Sequence, residues 1–596
     1  MSSLGHQLAT SVLVVGAGKS GLRAAIEVAE AGVAVIAVHK RTADDIRTVV
    51  AGGSEGAPMI PRPSPGPGDT WERHAADTLH ESHLLADPRT AQIVAHYAAQ
   101  GFHDMGRYGM RFDRQGDGGP ARSQLGDRMD RRAEFTGEHT SLEVQRALRD
   151  RAKELAIPVL SGVYVTRLLV DGGTVFGAYG FDVVDGSRYL VHADSVILAT
   201  GGHTRIWRRT SSRRNENTGD SFRLAVEAGA RLRDPELVQF HPAGLITPEN
   251  AAGMLVNEAA RGEGGVLLNN LGERFMTRYD AERMERSSRD RVALASYTEI
   301  KEGRGTQAGG VWLDLSHLPR ETILTRLPRV HQALLDLQML DITRDPIEVA
   351  PTAQYSLGGV WVRPEDHSTD VNGLFAIGEA SSGLHGANRL EENSLIELLV
   401  YGRITGRAAA EYSATLTSQQ RSPAAIRAAE ADVSRLLAAD GDQNVRALQR
   451  SVRRLMTEHA GVVRDEAGLS AGLDGLDEIE ARVTNMGVHI DIGGFQDLAY
   501  AYALRSTVLA ARATLECALE RRETRGCHNR SDYPHVDPDL KVNMVWSPTT
   551  GVRREPVPPI PTDIAELMYD VSADAELLEQ EPAMRAPRQD RDSPDR

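Results

Sequence analysis

The sequence predicts an α/β protein: a Rossmann-like domain with an inserted α+β capping domain, followed by a C-terminal helical bundle domain. Three observations carry this. SVLVVGAGKSG, LRAAIEVAEAG and VAVIAVHK read in order as strand and Gly-rich turn, helix, and strand, the unit that builds a parallel sheet. A length of 596 residues exceeds what one simple core accommodates, so several domains are expected. Residues 417–525 place Ala, Leu, Arg and Glu at helical spacing, as in VRALQRSVRRLMTEHAG.

The remaining elements follow along the chain. GAPMIPRPSPGPGD is rich in Pro and Gly and must be a loop, and WERHAADTLHESHLLADPRTAQIVAHYAAQ reads as helix. Between 158 and 200 the pattern turns strand-like, with hairpin signals at DGG and DGS, which suits an antiparallel insertion returning to the main sheet. Residues 236–349 have a mixed composition with their own helices and form the inserted capping domain. DVNGLFAIGEA then brings the chain back, so the first domain comprises 1–235 and 350–416. Residues 526–596 form a C-terminal region ending in EQEPAMRAPRQDRDSPDR, a charged, Pro-rich tail that cannot bury a core and is expected to be disordered.

Composition narrows the function classes. There are 83 acidic and 68 basic residues, a formal charge of −15, so most of the surface repels nucleic acid and anionic membrane. An acidic ligand must therefore be caught by a local basic pocket, and the Arg run RRTSSRR at 208–214 reads as a loop rim rather than a nucleic-acid surface. Cys517 and Cys527 supply neither a disulfide framework nor metal-ligand spacing, which favours a reducing cytoplasm. No apolar run has transmembrane length and the start lacks the features of a signal peptide. Cytoplasmic localisation is expected, with peripheral docking on the inner membrane face through a partner left open.

Gly16, Gly18 and Gly21 of GAGKSG, with Ala17 between the first two, follow a strand and open a helix, the context in which glycines let a backbone approach a pyrophosphate at a helix N-terminus. These glycines serve nicotinamide and flavin dinucleotides alike. The acidic residue usual at the end of the second strand is absent, and His39 and Lys40 stand there. VILATGG at 196–202, with Thr200 and Gly201, and GLFAIGE at 373–379 are the paired punctuation of a chain that leaves and re-enters an FAD-binding sheet. In that reading Glu379 accepts from the ribityl chain.

The ordered motifs GAGKSG, HAADT, ATGG, TGD, DPELVQFHPAGL, NEAARGEGGVLLNNLGERFM, SRDRV, APTAQYSLGG, GLFAIGEASSGLHGANRLEENSLIELLVYGR and RRETRGCHNRSDYP carry a resemblance over about residues 10–560. The sequence resembles the flavoprotein subunit family of succinate dehydrogenase and fumarate reductase, which includes L-aspartate oxidase. Many members attach FAD covalently through a His in S-H-T-x-A-Q-G-G. The matching stretch DIRTVVAGGSEG has Ile46 near that position and ends at Gly52 and Gly53, so the resemblance implies non-covalent FAD. It also places Asp220 at the adenosine side and Ser394 and Leu395 near the isoalloxazine ring.

For chemistry, the resemblance implies substrate contacts from His241, Asn257, Gln354 and Arg389. Arg289 takes the role of proton donor, supplied through Glu258 and Arg261. An Arg is a poor acid in water, so a relay is required. A planar guanidinium at Arg389 suits a two-point carboxylate clamp. Gln354 stands where the family has His, and Asn257 where Thr is frequent. Gln354 donates a hydrogen bond but cannot become cationic. Glu391 and Glu392 replace small residues after the clamp, so the reading is an anion clamp retained with altered specificity.

The expected activity is an FAD-dependent interconversion of a dicarboxylate and its unsaturated form, of the succinate/fumarate type. L-aspartate or a related nitrogen-bearing succinate is the alternative, although RSQLGDRMDRRAEFTG matches the aspartate oxidase loop poorly. A second class is a low-turnover flavoprotein subunit of a larger assembly, which the retention of Glu258, Arg261 and Arg289 opposes. The chain carries no cysteine cluster, so electrons pass to an iron–sulfur subunit, to oxygen or to a small carrier.

Overall fold

A computed structural model describes residues 5–42, 60–61, 70–111, 122–123, 133–134, 140–256, 258–390, 393–490 and 493–569. Ile46, Gly52, Gly53, Asn257, Glu391, Glu392 and the charged tail lie outside the described residues.

Strand β1 (His6–Val15) runs parallel to β2 (Val35–His39), with helix α1 (Lys19–Glu30) between them in sequence. Its apolar run is buried on both faces, as a central parallel strand requires. Val12 and Val14 enter one core, against α1 and the helices Trp71–Glu81 and Pro88–Arg107, whereas Leu13 and Val15 enter the other. The helix expected across WERHAADTLHESHLLADPRTAQIVAHYAAQ is thus two. Asp87 breaks it, its Oδ1 accepting from the Arg89 and Thr90 amides to cap the second helix.

The DGG and DGS signals are turns. β3 (Val163–Asp171) and β4 (Thr174–Asp182) join through Gly172 and Gly173, both at positive φ, and β4 pairs antiparallel with β5 (Arg188–Leu198). β5 runs parallel to β1, which returns the meander to the main sheet. The sheet order is Val159–Ser161, β2, β1, β5, β4, β3.

The next sheet is antiparallel, made by β6 (Val238–Leu245), β7 (Val266–Leu268), β8 (Val311–Asp314) and β9 (Ile347–Ser356) in the order β6-β9-β8-β7. Its core, with Leu245, Leu267, Leu313 and Val349, is distinct from the two flanking the parallel sheet. Helix α2 (Arg289–Lys301) packs on it through Val292 and Ala295. β9 spans residue 350, and the chain rejoins the first sheet at β10 (Leu374–Ala376), parallel to β5.

Helix α3 (Asn393–Thr415) follows and lies on α1, where Gly402 and Gly406 permit a close approach: a Cβ on Gly402 would lie 2.5 Å from Arg23 Cγ. Helices Pro423–Leu437, Val445–His459, Glu466–Val483 and Gln496–Glu520 complete the C-terminal part. Their apolar faces, among them Val433, Leu448, Leu476 and Leu504, share one core with Leu13 and Phe176 of the first sheet. The helical part is therefore built onto the sheet face rather than around a core of its own.

Candidate active site

A cavity of about 750 Å³ opens at the C-terminal ends of β1, β2 and β5. Gly16, Ala17, Gly18, His39, Lys40, Thr200, Gly201, Asp220, Glu379, Ser394 and Leu395 all line it. Gly21, also assigned to the cofactor, does not: a Cβ there would strike the Gly16 carbonyl, so it serves the close packing of α1 against the turn. Gly16 has φ +109° and a Cβ there would collide with the Ala199 carbonyl, so β1 and β5 approach closely only because it is Gly. At Gly18 a Cβ would meet nothing within 4 Å, leaving the turn backbone open to the cavity. Thr200 Oγ1 is buried with no partner in the protein, a donor and acceptor left for a ligand. Size, glycine turn and orphan hydroxyl fit a dinucleotide.

The end of β2 is not a solvated strand end. Lys40 Nζ lies 2.7 Å from Asp220 Oδ2, while Tyr164 and Ser506 hydroxyls donate to Asp220 Oδ1 over 2.8 and 2.7 Å. Burial opposes the Asp220 charge, but Lys40, Arg223 and these donors hold its carboxyl below the usual carboxylate range. Burial, assisted by Arg41 and Lys40, pushes His39 down to about 4, so it is neutral at physiological pH. On the opposite wall Glu379 accepts from the Ser356 amide and the Asn217 amide side chain, each at 3.0 Å. Burial outweighs these bonds and raises its carboxyl to about 7.

The second cluster lies where the antiparallel sheet meets the segment 385–390. Glu258 bridges two arginines: Arg289 Nε donates to its Oε2 over 2.5 Å, and Arg261 pairs with its other oxygen. Arg261 also donates to the Glu285 carbonyl over 2.7 Å, which fixes its guanidinium. Arg389 lies over the Tyr355 ring, 4.7 Å from guanidinium carbon to centroid, and donates to Ser394 Oγ over 2.9 Å. His241, on β6, is 2% exposed, and its Nδ1 accepts from the Ala243 amide. Burial first, then the fields of Arg289, Arg261 and Arg389, hold its pKa well below the usual value. Three guanidinium groups thus act on one neutral imidazole, against the Glu258 carboxylate, an arrangement whose chemistry suits an anion.

Gln354 is set by a β-bulge. Gln239 pairs with Tyr355 and Phe240 with Ala353, which leaves Gln354 as the extra residue of β9. Its Oε1 is buried and has no partner in the protein. Sequence reading missed Tyr355, Asn217, Tyr164 and Gln239. Gln239 Oε1 accepts from Arg289 over 3.4 Å, and its Nε2 donates to the Arg389 carbonyl over 3.3 Å. The signal for Gln239 was its place two residues before His241 on one strand.

A dinucleotide cavity at a parallel sheet, beside a cluster of arginines that share a carboxylate, defines a flavin-dependent oxidoreductase. The chain belongs to the family of fumarate reductase and succinate dehydrogenase flavoprotein subunits, and its cofactor is FAD. The FAD binding domain model matches residues 11–395, and the fumarate reductase flavoprotein C-terminal model matches 449–561. The chain is 37% identical to a component of the fumarate reductase (CoM/CoB) of Methanothermobacter marburgensis over 535 residues, 90% of this chain and 96% of that protein. It is 35% identical to the 8-methylmenaquinol:fumarate reductase flavoprotein subunit of Wolinella succinogenes, with 91% and 89% covered. The E. coli quinol fumarate reductase FrdA structure superposes with a TM-score of 0.86 at 28% identity, covering 94% of this chain and 99% of that one. Among the described residues no helix is long and apolar enough to cross a membrane, and no His, Cys, Asp and Glu cluster suits a metal ion.

Proposed function

We propose that the chain interconverts a saturated dicarboxylate and its unsaturated form, of the succinate/fumarate type. The observation that carries this is the convergence of Arg289, Arg261 and Arg389 on buried, neutral His241, with Glu258 bonded to both Arg289 and Arg261. The fumarate reductase names of the relatives support the same substrate class.

Arg389 and His241 hold the carboxylates, with Asn257 and Gln354 completing the contacts. Arg389 is held for this by Tyr355 beneath its plane and by Ser394. Arg289 delivers the proton to the carbon being saturated and recovers one from Glu258, which is resupplied along Arg261. A guanidinium serves as donor because a carboxylate already contacts it at 2.5 Å and rebalances its charge as the proton leaves.

FAD, when bound, supplies the hydride donor and acceptor at N5. Gly16, Ala17 and Gly18 would hold its pyrophosphate, with Gly21 keeping the start of α1 against their turn, Thr200 and Gly201 in the same cavity, and Gly52 and Gly53 contributing by the resemblance. His39, Lys40 and Asp220 belong at the adenosine side, Glu379 at the ribityl chain, and Ser394 and Leu395 by the ring. With Ile46 near the position of the family's attachment His, the attachment is non-covalent. Electrons pass on to an iron–sulfur subunit or another acceptor.

A second reading has one observation in its favour. The buried Gln354 Oε1 is an acceptor without a partner, and an N–H or O–H on the substrate would satisfy it. That fits L-aspartate or another substituted succinate. Anaerobic mixing of the flavin-loaded chain with succinate, then with L-aspartate, separates the two. Bleaching of the flavin band by succinate supports the first reading, bleaching by aspartate alone replaces it with the second, and bleaching by neither overturns both.

A further inference from the structure

We infer that Asn388, which touches neither reacting atom, is a positioning residue that locks the antiparallel sheet domain onto the Arg389 clamp. This rests on the dicarboxylate reading above. Asn388 is 1% exposed and uses its full hydrogen-bonding capacity. Its Oδ1 accepts from Gln239 Nε2 over 2.9 Å and from Cys527 Sγ over 3.3 Å. Its Nδ2 donates to Glu81 Oε1 over 2.8 Å and to Asp290 Oδ1 over 3.1 Å.

The four partners come from four places. Gln239 is on β6, Glu81 ends the helix Trp71–Glu81, Asp290 sits in the first turn of α2 next to Arg289, and Cys527 lies in the C-terminal region. Gln239 extends the chain of amides to Arg289, and also bonds the Arg389 carbonyl. The arginine assigned to the proton and the arginine assigned to the substrate are therefore registered through two back-to-back amides. A shift of Asn388 moves both.

The residue type matters because Nδ2 faces two carboxylates. A neutral amide donates to both Glu81 and Asp290, where a third carboxylate would withdraw that donor and repel both. The other charged and titratable groups around this junction are His83, whose Nε2 is 4.0 Å from Asp290 Oδ2, and the Cys527 thiol, pushed up by burial and by Asp290 and Glu81. Arg525 donates to the His83 carbonyl, and the charges of Arg464 and Arg389 act on Cys527 in the opposite sense to the carboxylates.

The test uses the full-length, flavin-loaded chain, fumarate reduction by reduced viologen, and binding of malonate read from the flavin spectrum. Asn388→Asp is expected to lower kcat/KM about tenfold to a hundredfold at pH 8, the scale of a lost charge-assisted bond, and to lose less as pH falls and a proton relieves the three crowded carboxylates. Asn388→Leu should be impaired at every pH. The exchange Asn388→Asp with Asp290→Asn restores an amide against a carboxylate and should regain part of the loss at pH 8; it decides the matter if the single variant does not fold. A wild-type pH profile in Asn388→Asp, an equal loss at all pH values, or an exchange no better than the single variant overturns the inference. If the unaltered chain neither binds malonate nor reduces fumarate, the dicarboxylate reading fails instead, and that result is separate because it does not involve Asn388.

Discussion

Arg289 Nε and Glu258 Oε2 lie 2.5 Å apart, although 31 residues separate them in sequence, with Arg261 paired to the same carboxylate. Structural ion pairs of this kind hold domains together, and this one joins the start of α2 to the short helix Ala259–Gly262. What separates it from a purely structural pair is its surroundings. His241, Arg389 and Gln239 gather around the same guanidinium, so it borders the proposed anion site.

Arg289→Gln and Arg289→Lys are therefore expected to keep FAD and lose turnover by about 10²- to 10⁴-fold, the range of general acid catalysis. Glu258→Gln should lose turnover similarly while leaving malonate affinity within a few-fold, because it removes proton supply and not a carboxylate contact. Flavin content is read from the absorption spectrum and turnover by viologen oxidation. Near-normal rates in Arg289→Gln would refute the proton role.

Gln354→His is expected to lower KM for fumarate or succinate severalfold, since imidazole adds the option of a cation near the substrate carboxylate. The same change should weaken any response to L-aspartate by removing the unpartnered Oε1 acceptor. Steady-state KM values for the two substrates provide the measurement. Unchanged values for both would place Gln354 outside the contact set.

Much of this was legible in the residues. The glycine turn, the meander with its two hairpin turns and the return at GLFAIGE are local signals: positive φ at Gly16, Gly172 and Gly173, and a continuous apolar run along β1 that is buried on both faces. His241, Glu258, Arg261, Arg289 and Arg389 were singled out through motif resemblance, and the structure brings these side chains together. What stayed hidden depends on contacts between distant segments. Lys40 was legible as the residue standing at the end of the second strand, whereas its acid partner Asp220, 180 residues on, was not. Tyr355 beneath Arg389, and the bulge that singles out Gln354, follow from the register of β6 against β9, which no local pattern encodes.

The raised carboxyl of Glu379 gives a pH dependence whose sign is fixed. Its folded-state pKa, about 7, lies above that of an unfolded Glu, near 4.5. Its contribution to stability is fully present below about pH 4.5 and is lost as pH rises through about 7. The flavin-free protein should thus lose thermal stability over that window by this term, and Glu379→Gln should remove that part of the slope. Melting temperatures of the two flavin-free proteins from pH 5 to pH 8 make the comparison. Parallel curves would show that Glu379 does not bind the proton assigned to it.

Asp220 behaves in the opposite sense. Lys40, Arg223, Tyr164 and Ser506 favour its charged form, so its pKa lies below the unfolded value near 3.8. The stability it contributes is present above about pH 4 and disappears as pH falls through the lower folded value. Asp220→Asn leaves Lys40 facing a neutral amide at the cavity wall, and breaking a largely buried pair costs about 3 kcal/mol or more. Because Lys40 and Asp220 both line the cavity, the variant should also release FAD more readily. Lys40→Met should share the loss of stability, since it strands Asp220, whereas the two changes combined should cost less than their sum because each removes the other's unpaired charge. Urea titrations of the single and double variants, with flavin fluorescence followed in the same samples, measure both effects. Strict additivity would mean that the 2.7 Å pair contributes nothing of its own.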